Sequence, residues 1–128
     1  MAPWLAEQGL DLVAVDVPDL SGLYPRGWVR SGRRAYVRLH SRNAAAWYGG
    51  GQERYDYDYD DAALSEWVWA AAGAPDSEVS LFLFNNCHGG RAAPNARRLR
   101  SLFERHAPQA RVVGPFAANH PVQRSLFE

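Results

Sequence analysis

Three short stretches of the chain carry side chains able to do chemistry. The first is Arg38, His40, Arg42 and Asn43, which close the apolar run Ala35-Tyr36-Val37. In a strand, alternation puts Arg38 and His40 on one face. A guanidinium buried there needs an anionic partner. Asp16 from a neighbouring strand would supply one as a structural ion pair, with His40 as a hydrogen-bonded core group; a bound anion would supply the other. If a reaction occurs, His40 is the general acid or base, because imidazole titrates near neutrality.

The second stretch is Asn85-Asn86-Cys87-His88-Gly89-Gly90, followed by Arg91 and a helix. Two glycines let backbone N–H groups come close to a ligand, and a helix N-terminus suits phosphate or carboxylate. The competing reading is an ordinary strand-to-helix turn in which Asn85 and Asn86 satisfy backbone groups. The third stretch holds Trp47 and Tyr48, then Tyr55, Tyr57 and Tyr59 alternating with Asp56, Asp58 and Asp60. Rings on one side of an extended segment make a stacking platform for bases or sugars, or simply a cover for the end of a sheet. The aspartates opposite them would repel a nucleic-acid backbone.

Metal and thiol chemistry find less support. Asp16, His40, Asn85 and His88 could converge at strand ends, but none stands at HxxxH, HxH or DxD spacing to another, and no metal or other cofactor is expected. Cys87 and His88 are adjacent, so in extended backbone they point to opposite faces and cannot share a proton.

Positioning these groups requires strands. Leu10 to Val17 reads as a strand ended by Pro18, Ala35 to His40 as a second, and Val79 to Asn85 as a third, apolar enough to be covered on both faces. Trp4 to Gln8 reads as a final helical stretch stopped by Gly9. Residues 19–34 lack helical periodicity and read as a loop. Asp60 or Asp61 caps a helix whose Leu64, Trp67, Val68 and Ala71 follow i, i+3, i+4, i+7 spacing, with Gly73 and Pro75 ending it. A last helix runs from about Ala92 to His106, with Pro94 in its first turn. Its expected buried stripe is Ala92, Ala96, Leu99, Leu102 and Phe103, with Arg97, Arg98, Arg100 and Arg105 facing water. Residues 107–128 form a tail in which Arg111-Val112-Val113 suggests one more short strand.

Strands alternating with helices imply an α/β parallel sheet with crossover connections. Three strands and two substantial helices are few for a closed version, which points to part of a larger barrel or sheet, or to completion by self-association. The 128 residues, 47% hydrophobic, fit one soluble segment with a real core. Net charge is zero, so no global field draws the chain to nucleic acid or membrane. All 14 basic residues are arginine. A single cysteine excludes an internal disulfide, and with no signal sequence or membrane span the expected location is the cytoplasm.

The motifs Tyr36-Val37-Arg38-Leu39-His40-Ser41-Arg42-Asn43, Trp47-Tyr48 and Arg54-Tyr55-Asp56-Tyr57-Asp58-Tyr59 resemble the signature of the DUF72, or YecE-like, family. So do Asp16-Val17-Pro18, Phe84-Asn85-Asn86, Gly89-Gly90 and Ala93-Pro94-Asn95-Ala96, over roughly residues 10 to 103. Ser41 departs from the pattern, where the family usually has Gly, and Cys87-His88 occupies a variable position. The resemblance implies a partial TIM-barrel-like sheet, the last strands of a barrel about twice this length, in a family whose activity is not established. It favours a ligand site at the carboxyl ends of the strands. There Asp16, Arg38, His40, Arg42, Asn43, Asn85, Asn86, Gly89, Gly90 and Asn95 would receive a small anionic or phosphorylated ligand, rimmed by Trp47, Tyr48, Tyr55 and Tyr57. The alternatives are a nucleic-acid-binding or DNA-repair-like barrel and a truncated, non-functional fragment.

Overall fold

A computed structural model describes residues 2–114. The tail beyond them lies outside the described residues. The elements are helix α1 (Ala2–Glu7), strands β1 (Val13–Asp16) and β2 (Arg34–Leu39), helix α2 (Asp61–Ala72), strand β3 (Val79–Phe84) and helix α3 (Ala92–His106). Single 3₁₀ turns at Gly51–Tyr55 and His88–Gly90 sit in the connections after β2 and β3.

All strand pairs are parallel, in the spatial order β1-β2-β3. Sequential order without reversal fits a stretch of barrel wall. The register pairs Val15 with Arg38 and Asp16 with Leu39 across β1–β2, then Arg38 with Leu83 and Leu39 with Phe84 across β2–β3. Paired residues share a face. Ala14, Asp16, Ala35, Val37, Leu39, Phe82 and Phe84 therefore look toward the helices, and Val13, Val15, Tyr36, Arg38, Leu81 and Leu83 look the other way.

The core lies on the helix side. Leu64, Trp67 and Val68 of α2 and Leu99, Leu102 and Phe103 of α3 pack with Ala14, Val37, Leu39 and Tyr59. Trp28 and Val29 of the β1–β2 loop pack on the same cluster, where a crossover helix would otherwise lie. The local punctuation follows elementary rules. Asp60 Oδ1 caps α2 by accepting from Ala63 N at 2.8 Å. Gly9, at φ 68°, closes α1: its N–H donates to Ala6 O and the Leu10 N–H to Leu5 O, the paired bonds of a Schellman end.

Several sequence expectations change. β1 is only four residues long, because the chain before it is held by Ser31, whose hydroxyl bonds Leu12 N and Leu10 O. β3 is not covered on both faces: Val79, Leu81 and Leu83 are exposed. In α3 the buried position beside Leu99 is filled by Asn95, not Ala96, which faces outward. Arg111-Val112-Val113 forms no strand, although Val112 packs against the core.

Candidate functional site

Asp16, at the carboxyl end of β1, is fully buried among donors. Arg42 grips it with Nε and Nη2 at 3.0 and 2.8 Å, Tyr59 donates its hydroxyl at 3.0 Å, and Trp67 its indole N–H at 2.6 Å. The other side of the Arg42 guanidinium bonds Glu66 at 2.8 and 3.1 Å. Burial alone would lower the pKa of Arg42, but the hydrogen bonds and charges of Asp16 and Glu66 outweigh it and raise the value. Burial, reinforced by the Asp16 carboxylate, pushes the Tyr59 hydroxyl well up, so it stays a donor. Every strong donor the carboxylate needs is thus provided by the protein. The expected Arg38–Asp16 pair does not form, because the register places the two side chains on opposite faces of the sheet.

A second polar network lies under the start of α3. Buried Asn95 accepts from Tyr59 N at 3.1 Å and from Asn86 Nδ2 at 2.6 Å, and donates to Asp58 at 2.6 Å. Asn86 donates further to Tyr57 O at 2.8 Å. Around it, Arg91 pairs with Asp56 at 2.5 Å, and Arg98 pairs with Asp58 and Asp61. The hydrogen bond from Asn95, helped by the attraction of Arg98 and Arg91, outweighs desolvation and holds the Asp58 carboxyl below its usual range. The aspartates between the tyrosines therefore anchor α3.

Several of the expected ligand groups take part in contacts within the chain. Asn86 and Asn95 tie the segment before α2 to α3, and Arg91 is neutralised by Asp56. Asn43 donates to Glu53 O and Asp56 O and accepts from Ala46 N, so it shapes the loop after β2. Gly89 and Gly90, at φ 61° and 72°, turn the chain into α3 in a left-handed conformation that glycine favours. Tyr48 is exposed, its hydroxyl bonding Ser21 O, and Trp47 is half-buried nearby in the chain. The three tyrosines do not form one platform. Tyr59 is in the core, Tyr57 meets it edge-to-face at 4.8 Å, and Tyr55 lies against His40 at a centroid distance of 6.4 Å.

What remains at the rim is Arg38, His40, Asn85 and Tyr55. Arg38 Nε donates to Asn85 Oδ1 at 3.3 Å, which places the ends of β2 and β3 side by side. His40 sits just beyond β2, its backbone N–H bonded to Asp16 O at 3.0 Å. Burial first, then the positive charge of Arg38, lowers the His40 pKa against the smaller pull of Asp16. Its ring is therefore neutral at pH 7 and offers one donor and one acceptor. Sequence reasoning missed Glu66, Trp67 and Asp58 as polar partners; the indole nitrogen of a buried tryptophan, which needs an acceptor, was the available signal for Trp67.

The family model described as "Protein of unknown function DUF72" matches residues 1–120. The chain belongs to the DUF72 family. Among solved structures it is similar to a DUF72 family protein of Thermotoga maritima, with 33% identity and a TM-score of 0.74, over 80% of this chain and 40% of that one. A DUF72 family protein of Enterococcus faecalis matches at 25% identity and a TM-score of 0.73, over 81% of this chain and 40% of that one. No curated protein matches. This DUF72 chain thus spans about two-fifths of the length of these relatives, and its α/β architecture is part of a TIM-barrel-like sheet. No helix among the described residues is long and apolar enough to cross a membrane.

Proposed function

We propose that the carboxyl-end rim of this sheet binds a small anionic ligand, with a phosphoryl group as a suitable head, on Arg38, His40 and Asn85. The observation that supports the reading is the company Arg38 keeps. It stands between Val15 and Leu83 on the sheet face away from the helices, and its hydrogen-bond partner is a neutral amide. No described carboxylate lies within ion-pair distance of it. A cation flanked by apolar side chains attracts an anion, and the planar fork of arginine suits a phosphate or carboxylate. Strand ends are also where TIM-barrel enzymes gather their sites.

In this arrangement Asn85 orients the guanidinium through Nε and leaves the terminal nitrogens for the ligand. The neutral His40 ring adds a hydrogen bond, and Tyr55 borders it. The reading commits to recognition, not to a reaction. Calorimetric titration with inorganic phosphate tests it. Arg38→Gln is expected to weaken binding by ~10–100-fold, the range for losing charged hydrogen bonds. Equal affinity of the variant and the parent chain would refute the assignment.

A further inference from the structure

A second arginine, Arg54, is set as Arg38 is. Most of the described arginines contact a carboxylate within ion-pair distance, but Arg54, like Arg38, does not. Its Nε donates to Gly51 O at 2.9 Å, just as Arg38 Nε donates to Asn85 Oδ1 at 3.3 Å. Each guanidinium is thus oriented through Nε by a neutral acceptor, and the terminal nitrogens of both have no hydrogen-bond partner among the described residues. The acids closest to Arg54 in sequence do not neutralise it: Asp56 is paired with Arg91, and Glu53 lies outside ion-pair distance of Arg54. A guanidinium fixed in this way presents parallel N–H donors that match a carboxylate or phosphate bidentately.

The two forks are joined by a strip of rings. Arg54 Cζ lies over the Tyr55 ring, 5.9 Å from its centroid, and that ring lies 6.4 Å from the His40 imidazole. His40 in turn follows Arg38 by two residues, and burial and then the Arg38 charge lower its pKa. A strip with a cation at each end and neutral rings between favours a molecule with negative charge at both ends. We infer that the ligand of this rim carries two anionic groups, one held by Arg38, His40 and Asn85 and the other by Arg54, with its uncharged body beside Tyr55. A small molecule phosphorylated at both ends is the chemical class. The inference rests on the anion-binding reading of the rim, and it adds a second charged group and the residue that selects for it.

The test is calorimetric titration of the 128-residue chain with inorganic phosphate, fructose 6-phosphate and fructose 1,6-bisphosphate. The bisphosphate is expected to bind ~10–100-fold more tightly than the monophosphate, the range for one added set of charged hydrogen bonds. Arg54→Gln is expected to remove that advantage and to leave the affinities for phosphate and the monophosphate unchanged. Arg97→Gln, which removes an exposed charge on α3, is expected to keep the advantage. Arg38→Gln is expected to weaken all three ligands. Equal affinity for the two sugar phosphates would overturn the inference while leaving the anion site standing. So would Arg54→Gln weakening inorganic phosphate as much as the bisphosphate or keeping the advantage, or Arg97→Gln losing the advantage to the same extent. No binding of any of the three, or full affinity in Arg38→Gln, would overturn the inference together with the anion-binding reading.

Discussion

The indole nitrogen of Trp67, on α2, lies 2.6 Å from Oδ2 of Asp16, at the end of β1. That bond joins a helix to a strand 51 residues away in sequence, and it is one of four side-chain donors around a carboxylate with no exposure to solvent. Removing the carboxylate leaves Arg42 with its side chain 13% exposed and only Glu66 to balance it. Asp16→Ala is expected to destabilise the chain by about 3–5 kcal/mol, as for other buried pairs broken from one side. Urea unfolding followed by tryptophan fluorescence checks this, and a loss below about 1 kcal/mol would show that the network behaves like a surface pair.

Asn95 is equally central to the second network. Asn95→Leu keeps the branched shape but leaves Tyr59 N without its acceptor and the Asn86 amide with only Tyr57 O, at about 1–3 kcal/mol for each hydrogen-bonding group left unsatisfied. The expected signature is local: hydrogen exchange at the Tyr59 amide accelerates before exchange in β2 does. Uniform acceleration throughout the sheet would indicate instead that the substitution unfolds the chain globally.

Gly89 offers a test of backbone alone. An added Cβ there would meet only Arg91 Nε, at 3.9 Å, so packing does not forbid it. The positive φ does carry a cost, and Gly89→Ala is expected to lower stability by about 1–2 kcal/mol. Thermal unfolding measures it; an unchanged midpoint would mean that the turn readily adopts another conformation.

His40 gives the pH dependence. Its pKa in the folded chain lies below the ordinary 6.5, so the unfolded chain binds the proton more readily. The stabilising contribution is complete above that ordinary value and declines as pH falls through it toward the folded pKa. Bound anion reverses the balance by stabilising the imidazolium. Sulfate, whose charge stays constant between about pH 7.5 and 5.5, should therefore bind more tightly as His40 gains its proton in that interval. The slope of affinity against pH should flatten in His40→Gln. An identical slope in the variant would remove His40 from the site.

Much of the fold was legible in the sequence because its signals are local. Helix α3 spans the stretch that its periodicity marked, Asp60 caps α2, and the three strands follow the β-branched and aliphatic runs. Faces and partners were less legible because they depend on register. Asp16 and Arg38 both stand near strand ends, and only the offset that pairs Val15 with Arg38 reveals that they point to opposite sides. Arg42 lies beyond the end of β2, where alternation no longer dictates direction, and so its grip on Asp16 was hidden. Asn95 escaped because a helical stripe is traced by hydrophobicity, and a polar residue that is buried with its partners leaves no mark in that pattern. At the candidate site, the adjacency of Arg38 and Asn85 followed from parallel strands. The structural duties of Asn43, Asn86 and Gly89 became evident only from their contacts and backbone angles.

The anion site is tested most directly at the Arg38 side chain itself. Nitrogen-15 NMR can follow the Arg38 Nε–H resonance and the Asn85 side-chain amide while inorganic phosphate is added at pH 7. Both resonances should shift together along one saturable curve, while the Arg42 Nε–H, enclosed by Asp16 and Glu66, stays in place. Saturable shifts at other arginines with Arg38 and Asn85 unmoved would contradict the assignment, as would no saturable shift at all.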